Sequence, residues 1–280
     1  MALTSTPTLR GRRLAAELRD LRERAGLSQA EAARRVGWDR STLSRIEKPA
    51  IRAADNDIRA LLQMYGLDAD RHDAIVQLNH DSWQRGWWTA YGDAFTGNFL
   101  MLEDQAPRIR TYETTLIPGL LQTPDYARTV IKELRGADEE DLDRLVAARM
   151  NRKAILNRVH PPDVHFVIYE AALRPAIGDE DLMRKQISEL WSAAVDHPHV
   201  TVQVLPFAAA RPSALVGAFT WFVFPDDHGL DVGHSEGQLG EWYAESNDQL
   251  TGIRLAFEDV SAAALPPDES AEWLAARTRE

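Results

Sequence analysis

The chain has 280 residues, a length that favours about two domains. At 44% hydrophobic and 27% charged residues, its composition is that of an ordinary globular protein with a sizeable core. The absence of cysteine excludes disulfides, thiolate metal sites and a cysteine nucleophile. No apolar run reaches the roughly 18 residues that a transmembrane helix needs, and the first residues do not resemble a secretory signal. We therefore expect no membrane association and a cytoplasmic location.

The net charge of −11 is distributed unevenly along the chain. Residues 1–54 contain 12 Lys/Arg against 6 Asp/Glu, a net charge of +6, whereas the remainder contains 20 against 37, a net charge of −17. Such a division leaves one end attracted to phosphate and the rest repelled by it. It is equally compatible with uneven surface charge that serves no function, so a motif must decide between the two.

Residues 26–49 predict two short helices joined by a tight turn. Ser28 and Glu31 form the S-x-x-E pattern of a capping box, which starts a helix. Gly37 then ends that helix, Asp39 is a candidate cap for the next, and Pro49 ends the second helix. The apolar positions that can share one core are Ala33, Val36, Leu43 and Ile46. This arrangement is typical of a helix-turn-helix.

Polar and basic residues occupy the outer face of the second helix. In a helix-turn-helix, the side chains near the start of this helix contact base edges in the major groove. The residues predicted to bind DNA from it are Arg40, Ser41, Thr42, Ser44 and Arg45. Arginine can form two hydrogen bonds with guanine, so Arg40 and Arg45 favour half-sites that contain G. The alternative is that these are solvated surface residues without a ligand.

The segments GLSQAE, RRVG and STLSRIE resemble the XRE family, which includes the lambda-type phage repressors. The resemblance covers residues 10–82 and implies double-stranded DNA as the partner. It also implies that Gln29 contacts the DNA backbone and supports the base-contacting residues, with Ser28 near a phosphate. A further implication is a structural ion pair between Arg22 and Glu47, which would tie the first helix to the end of the third.

Trp38 lies in the turn, where the family usually has a smaller residue. It could pack against the edge of the core or stack on the sugar-phosphate backbone, and burial of a large aromatic side chain favours packing. Because the second possibility is open, Trp38 is included among the DNA-binding candidates.

Helical spacing of apolar residues predicts three further helices in the N-terminal domain, at about 12–24, 55–65 and from 69 onward. Residues 1–9 are predicted to be a flexible tail. We therefore expect an all-α, lambda-repressor-like domain over 10–82. The following segment, 83–108, is an aromatic-rich connector whose rings are expected to be buried between the two domains.

Residues 109–280 alternate short strand patterns with helix patterns, which predicts an α+β, or mixed α/β, domain with one modest sheet. Strands are expected at 109–113, 164–169, 200–205, 219–224 and 231–234, and helices near 123–135, 139–159, 181–195, 246–264 and 268–279. One further helix is expected at 100–106, within the connector. Thr123 followed by Pro124 is typical of a helix start.

The C-terminal sequence resembles the domain that accompanies an XRE domain in a large actinobacterial regulator family. The segments that carry this resemblance are GWW, IPGLLQTPDYAR with its PGLLQT motif, EAALR, VTVQVLPF and GAFTWFVF. It implies an architecture and not a reaction. It also implies that a short protein encoded nearby could be a partner. After Phe224 the sequence departs from the family pattern, with GLDVGHSEGQLGEW in its place.

No motif indicates catalysis or a metal. The chain has no G-x-S-x-G, no G-x-G-x-x-G and no Walker loop, and the Gly-rich GHSEGQLG is interpreted as a loop. His197 and His199 flank a proline as in a turn, and the other histidines considered, His160 and His165, have no partner at ligand spacing. Glu113 and Glu170 could face a pocket, although single carboxylates at strand ends are common. We expect no enzyme activity, no cofactor and no metal site.

The sequence therefore predicts a dimeric, sequence-specific transcriptional regulator in the cytoplasm, associated with the nucleoid. Its C-terminal domain would dimerise, sense a ligand or bind a partner protein. The rival hypothesis is an antitoxin-like protein that neutralises a small partner from a neighbouring gene and regulates its own operon.

Overall fold

The computed structural model describes residues 9–48, 53–81, 99–136, 138–174, 177–215, 217–224, 231–237 and 240–279. The chain divides into two compact units, Met1–Thr89 and Ala90–Glu280, called here the N-terminal unit and the C-terminal unit. The predicted tail, apart from residue 9, the predicted helix stop at Pro49 and the connector residues 83–98 lie outside the described residues. The proposal that the aromatic rings of 83–98 are buried between the domains therefore stays a prediction.

The described part of the N-terminal unit is a small bundle of helices, as the sequence predicts. They are α1 (Leu9–Arg24), α2 (Gln29–Arg35), α3 (Arg40–Ile46), α4 (Asp55–Tyr65) and α5 (Ala69–Asp81). Helix α1 begins at Leu9, three residues before the predicted start near Arg12, and so includes the last residue assigned to the tail. Gly66 ends α4 with a φ of 80°, a left-handed conformation that favours glycine.

One apolar core holds these helices together. Leucines spaced three or four residues apart on α1 place their side chains on one face, and α3, α4 and α5 contribute to the same cluster. Its large buried members are Leu14, Leu18, Leu21, Leu43, Ile46, Ile58, Leu61, Leu62 and Ile75. Val36, which was predicted to share this core, is partly buried against it, as are Tyr65 and Leu78.

The C-terminal unit contains a mixed sheet, and the fold class predicted for it is confirmed. Its strands in the described residues are β1 (Arg108–Glu113), β2 (Asp163–Tyr169), β3 (Val200–Leu205), β4 (Phe219–Val223), β5 (Val232–Gly237) and β6 (Gly240–Ala244). They lie in the order β3-β2-β1-β4-β5-β6. Strands β1, β2 and β3 are parallel, whereas β4, β5 and β6 pair antiparallel to their neighbours.

The interpretation of GHSEGQLG as a loop is wrong. Residues 232–237 form β5 and residues 240–244 form β6, and the two strands pair with His234 opposite Tyr243 and Glu236 opposite Glu241. The glycines suggested a loop because they have low strand propensity. Pairing with β4 and burial of Val232 and His234 nevertheless favour strand, because tertiary packing outweighs a weak local preference.

Helices surround the sheet at nearly all the predicted positions. They are α6 (Phe99–Gln105), α7 (Pro124–Arg135), α8 (Glu139–Arg152), α9 (Glu180–Asp196), α10 (Asn247–Ala263) and α11 (Pro267–Arg277). Thr123 caps α7 and Pro124 is its first residue, which confirms that prediction. The helix predicted over 139–159 is shorter, since the chain tightens into a 3₁₀ turn over Lys153–Asn157. Within the described residues, no helix combines the length and apolar character needed to cross a membrane.

The two faces of the sheet have different surroundings. On one face, Tyr112, Val167 and Leu205 form a core with Phe257 and Val260 of α10. The opposite face is apolar along β2 and β3 but carries the polar side chains of Thr111, Thr220 and His234, which lie side by side on β1, β4 and β5.

A buried ion pair lies on the side of the sheet that carries these polar side chains. Arg152 of α8 donates from Nε and Nη2 to the two carboxylate oxygens of Glu103 on α6, at 2.8 and 2.7 Å. Both side chains are less than 10% exposed, so each charge depends on the other for compensation.

Candidate nucleic-acid interface

The start of α2 has the capping geometry that the sequence predicts. The backbone N–H of Glu31 donates to Ser28 Oγ at 3.3 Å, and the backbone N–H of Ser28 donates to Glu31 Oε2 at 2.9 Å. The Ser28 hydroxyl also donates to Glu31 Oε2 at 2.6 Å. This bond and the one from the Ser28 backbone N–H favour the ionised carboxylate and hold the pKa of Glu31 below its usual value. The reciprocal bonds fix where α2 begins and leave Ser28 exposed at its end.

The turn between α2 and α3 depends on Gly37. Its φ of 76° is left-handed, and the backbone N–H of Trp38 then returns to the carbonyl of Ala33 at 2.8 Å. Asp39 occupies the N-cap position of α3 in extended conformation, but its side chain makes no capping hydrogen bond. The predicted capping role of Asp39 is therefore wrong in its chemistry and right only in its position.

Helix α3 has a buried face and an exposed face. Leu43 and Ile46 lie in the core of the N-terminal unit and fix the rotation of the helix about its axis. Among the predicted DNA-binding residues, Arg40, Ser41 and Arg45 are exposed, whereas Thr42 and Ser44 are partly exposed. All five side chains are therefore at least partly accessible to a ligand from one short helix.

The guanidinium of Arg45 lies back along α3. Its Nε donates to the carbonyl of Ser41 and its Nη2 donates to Thr42 Oγ1, each at 3.3 Å. Both bonds are long and exposed, so little free energy is needed to exchange them for a bond to another acceptor.

A buried ion pair connects α1 to the residue that follows α3. Arg22 Nε donates to Glu47 Oε1 at 2.7 Å, and Arg22 Nη1 donates to the carbonyl of Leu27 at 2.7 Å. Arg22 is 8% exposed and Glu47 1% exposed. Burial alone would lower the pKa of Arg22, but the hydrogen bond and charge of Glu47 raise it above its ordinary value. The ion pair that the family resemblance implies is thus present.

Gln29 belongs to the same network, which sequence reasoning missed. Its Nε2 donates to Glu47 Oε2 at 2.8 Å, so both oxygens of one buried carboxylate are bonded. The first turn of α2 is thereby tied to the end of α3. The network fixes the angle between the two helices, and no local pattern relates residue 29 to residue 47. The role of Gln29 on the DNA backbone stays a prediction.

Trp38 is half-buried and packs against the core of the N-terminal unit. This is the packing that its size favours. Its partly exposed side chain lies in the turn immediately before α3, and contact with DNA stays a prediction.

The candidates considered for catalysis or metal binding in the C-terminal unit do not form one site. Glu170 forms an ion pair with Arg174 and accepts a hydrogen bond from the backbone N–H of Phe207. His165 Nε2 lies 2.6 Å from Gln203 Oε1. In the described part of the chain no group of three or more His, Asp or Glu side chains could hold a metal ion.

The arrangement of α2, turn and α3, with a buried face and an exposed basic face, defines a helix-turn-helix domain, a class that binds DNA in the major groove. Comparison with protein families agrees, since a family described as a helix-turn-helix domain matches residues 13–75. A second family, the domain of unknown function DUF5753, matches residues 96–276, and the chain belongs to this family. No curated protein and no solved structure matches the chain.

Proposed function

We propose that the protein is a sequence-specific transcriptional regulator of the XRE type that binds double-stranded DNA through α3. The observation that supports this most directly is the exposure of Arg40, Ser41 and Arg45 on a helix held by a buried core and a buried ion pair. A rigid support of this kind lets side chains present hydrogen-bond donors in a fixed register.

The distribution of charge supports the same function. The net charge of +6 over residues 1–54 provides attraction for phosphate, whereas the net charge of −17 over the remainder disfavours DNA contact elsewhere. We propose a homodimer on a near-palindromic operator, because one small domain buries little DNA surface and a second copy doubles it. A cytoplasmic location associated with the nucleoid, without enzyme activity, follows from this function.

Arg45→Ala is expected to weaken operator binding by about 5- to 150-fold for each half-site, the equivalent of about 1–3 kcal/mol for one bidentate contact with guanine. Specificity should relax at the contacted base pair, because the hydrogen bonds removed are those that distinguish guanine. The measurement is a gel-shift titration with the operator and with an operator substituted at single positions.

The matched control is Arg24→Ala, which removes the same charge from an exposed arginine at the end of α1. This variant should bind the operator within a few-fold of the unchanged protein. Circular dichroism of both variants verifies that the fold is retained. Equal affinities for the Arg45→Ala and Arg24→Ala variants would contradict base contact by α3.

A second candidate function is suggested by the acidity of residues 55–280. A net charge of −17 suits a basic protein partner, as in an antitoxin that neutralises the product of a neighbouring gene and regulates its own operon. Co-expression of the two gene products followed by size-exclusion chromatography tests it. Formation of a stable complex that dissociates at high salt favours this function, and separate elution contradicts it.

A further inference from the structure

A cavity of about 350 Å³ lies in the C-terminal unit, on the face of the sheet that carries Thr111, Thr220 and His234. Strands β1, β2, β4, β5 and β6 contribute to its walls, together with α6, α7, α8 and the segment that carries Pro118 and Gly119. Its volume falls near the lower end of the range for small-molecule sites, roughly 300–1,000 Å³. The cavity therefore has room for a metabolite of modest size.

The strand register places the polar groups of this cavity in two neighbouring rows. The first row runs across the strands from Thr111 through Thr220 to His234. Two residues further along the strands, the second row contains Glu113 on β1 and Glu236 on β5, with Glu241 opposite Glu236 on β6. Ala218 lies between Glu113 and Glu236 in the second row. The other members of both rows are polar, and all of these residues line the cavity.

The charges of the lining do not balance. Its carboxylates include Glu103, which is neutralised by Arg152, and the three glutamates of the second row. The other guanidinium, that of Arg149, donates from Nη1 to Gln122 Oε1 at 3.2 Å. Three carboxylates thus face one further guanidinium among the described lining residues. The lining remains negative even when one of the three is protonated, so its potential favours a cation.

Glu113 is a carboxylate whose burial is not offset by the charges around it. Burial raises its pKa to about 8; the positive charges of Arg149 and Arg152 oppose this rise and the negative charge of Glu236 adds to it. Within the described residues the Glu113 carboxylate accepts no hydrogen bond, although its side chain is partly accessible from the cavity. A positively charged hydrogen-bond donor would give the Glu113 carboxylate both a hydrogen bond and an opposite charge.

His234 provides a separate observation from the neighbouring row. It is 5% exposed and lines the cavity, yet its Nε2 has no hydrogen-bond partner in the described part of the structure. Burial and the charge of Arg152 lower its pKa to about 4, so the imidazole is neutral at physiological pH. A buried polar atom without a partner is unfavourable, and a bound molecule with a complementary group would relieve this cost.

We propose that this cavity binds a small molecule that carries an organic cation, such as an amine, with Glu113 and Glu236 as its counter-charges. The cation lies over the second row of carboxylates. The remainder of the ligand lies towards His234 and the two threonines, where hydrogen-bonding groups are available. This site lies within the C-terminal unit, and the proposal does not depend on DNA binding.

The test uses the full-length protein and a panel of small primary, guanidino and quaternary amines. Putrescine, agmatine and choline are the first probes, with 1,4-butanediol and succinate as neutral and anionic comparators. Isothermal titration calorimetry and the thermal unfolding midpoint are measured for each. At least one amine should bind and raise the unfolding midpoint, whereas butanediol and succinate should not. Failure of the whole amine panel, or tighter binding of succinate, would overturn the proposal.

Two variants in the cavity and one control outside it test whether the amine binds in the cavity. Glu113→Gln keeps the size and removes the charge, and at about pH 8.5, where Glu113 is ionised, it should weaken binding of the selected amine at least tenfold. Ala218→Leu fills the cavity between the carboxylates of the second row and should also weaken binding. The matched control is Glu272→Gln on α11, an exposed carboxylate outside the cavity, which should leave the affinity unchanged. Unchanged binding by Glu113→Gln or Ala218→Leu, or an equal decrease in the control, would overturn the site.

The pH dependence gives a readout that a merely structural role of Glu113 would not produce. As pH rises from about 6.5 towards 8.5, Glu113 becomes ionised, and the affinity for choline should increase by up to about tenfold per pH unit below its pKa. Choline keeps its charge throughout, and His234 stays neutral. The titratable and charged groups that face Glu113 are Glu103, Tyr126, Arg149, Arg152, His234, Glu236 and Glu241. A flat profile in the unchanged protein would count against Glu113 as the counter-charge, as would an unaltered slope in Glu113→Gln.

Discussion

Replacing Glu47 by alanine is expected to destabilise the N-terminal unit by about 3–5 kcal/mol, because it leaves the buried charge of Arg22 without compensation. The same change removes the acceptor of Gln29 Nε2, so the first turn of α2 loses its connection to the end of α3. Native-state hydrogen exchange of the core amides of α1 and α3, in the full-length protein, measures the change in local opening free energy.

A second carboxylate that pairs with Arg22, that of Glu23, provides the matched control for this prediction. Arg22 Nη2 contacts Glu23 Oε1 at 3.2 Å, but the side chain of Glu23 is 61% exposed. Glu23→Ala should therefore cost only about 0–1 kcal/mol, since solvent screens an exposed pair. If the two alanine variants were equally stable, the buried pair would not be what fixes α3 against α1. Operator binding should fall in Glu47→Ala even where the unit stays folded, because the position of α3 is relaxed.

Operator affinity is expected to fall steeply with salt, by about 10³- to 10⁵-fold between about 50 and 200 mM, if two copies make about six to ten phosphate contacts. The physical reason is release of the cations condensed on DNA when Lys and Arg replace them. The net charge of +6 over residues 1–54 supplies enough positive side chains for such contacts in a dimer. Fluorescence anisotropy of a labelled operator across a salt series measures the slope.

A variant separates phosphate contact from base contact in the same experiment. Arg34→Ala removes an exposed arginine of α2 that was not assigned to base edges. If this arginine neutralises a phosphate, its removal should weaken binding to operator and random DNA alike and reduce the slope by about one for each phosphate left without its cation. Circular dichroism at each salt concentration excludes unfolding as the cause. A flat salt response of the unchanged protein would argue against DNA as its ligand.

The helix-turn-helix could be predicted from the sequence because its determinants are local. Ser28 and Glu31 are three residues apart, the distance over which a capping box closes, and Gly37 permits the left-handed turn by itself. The exposure of Arg40 and Arg45 follows from the helical spacing of Leu43 and Ile46, which must face the core. The ion pair between Arg22 and Glu47 was implied by family resemblance and not by spacing.

The features that sequence reasoning missed are non-local. The bond from Gln29 to Glu47 joins residues 18 positions apart and depends on how α2 packs on α3. Strand β6 begins at Gly240, a residue type of low strand propensity, and exists because β5 offers a partner for it. In both cases the deciding contacts come from a packing partner that no window along the chain contains.

The sequence by itself determined the two-part organisation, the helix-turn-helix with its exposed basic face, and the mixed character of the C-terminal fold. These follow from caps, glycines and apolar periodicity, which act within a few residues. Only the tertiary structure decided that Glu113 and Glu236 share one cavity. They are distant in sequence and become neighbours because β4 pairs with both β1 and β5. Burial in that cavity, and not residue type, gives Glu113 its raised pKa.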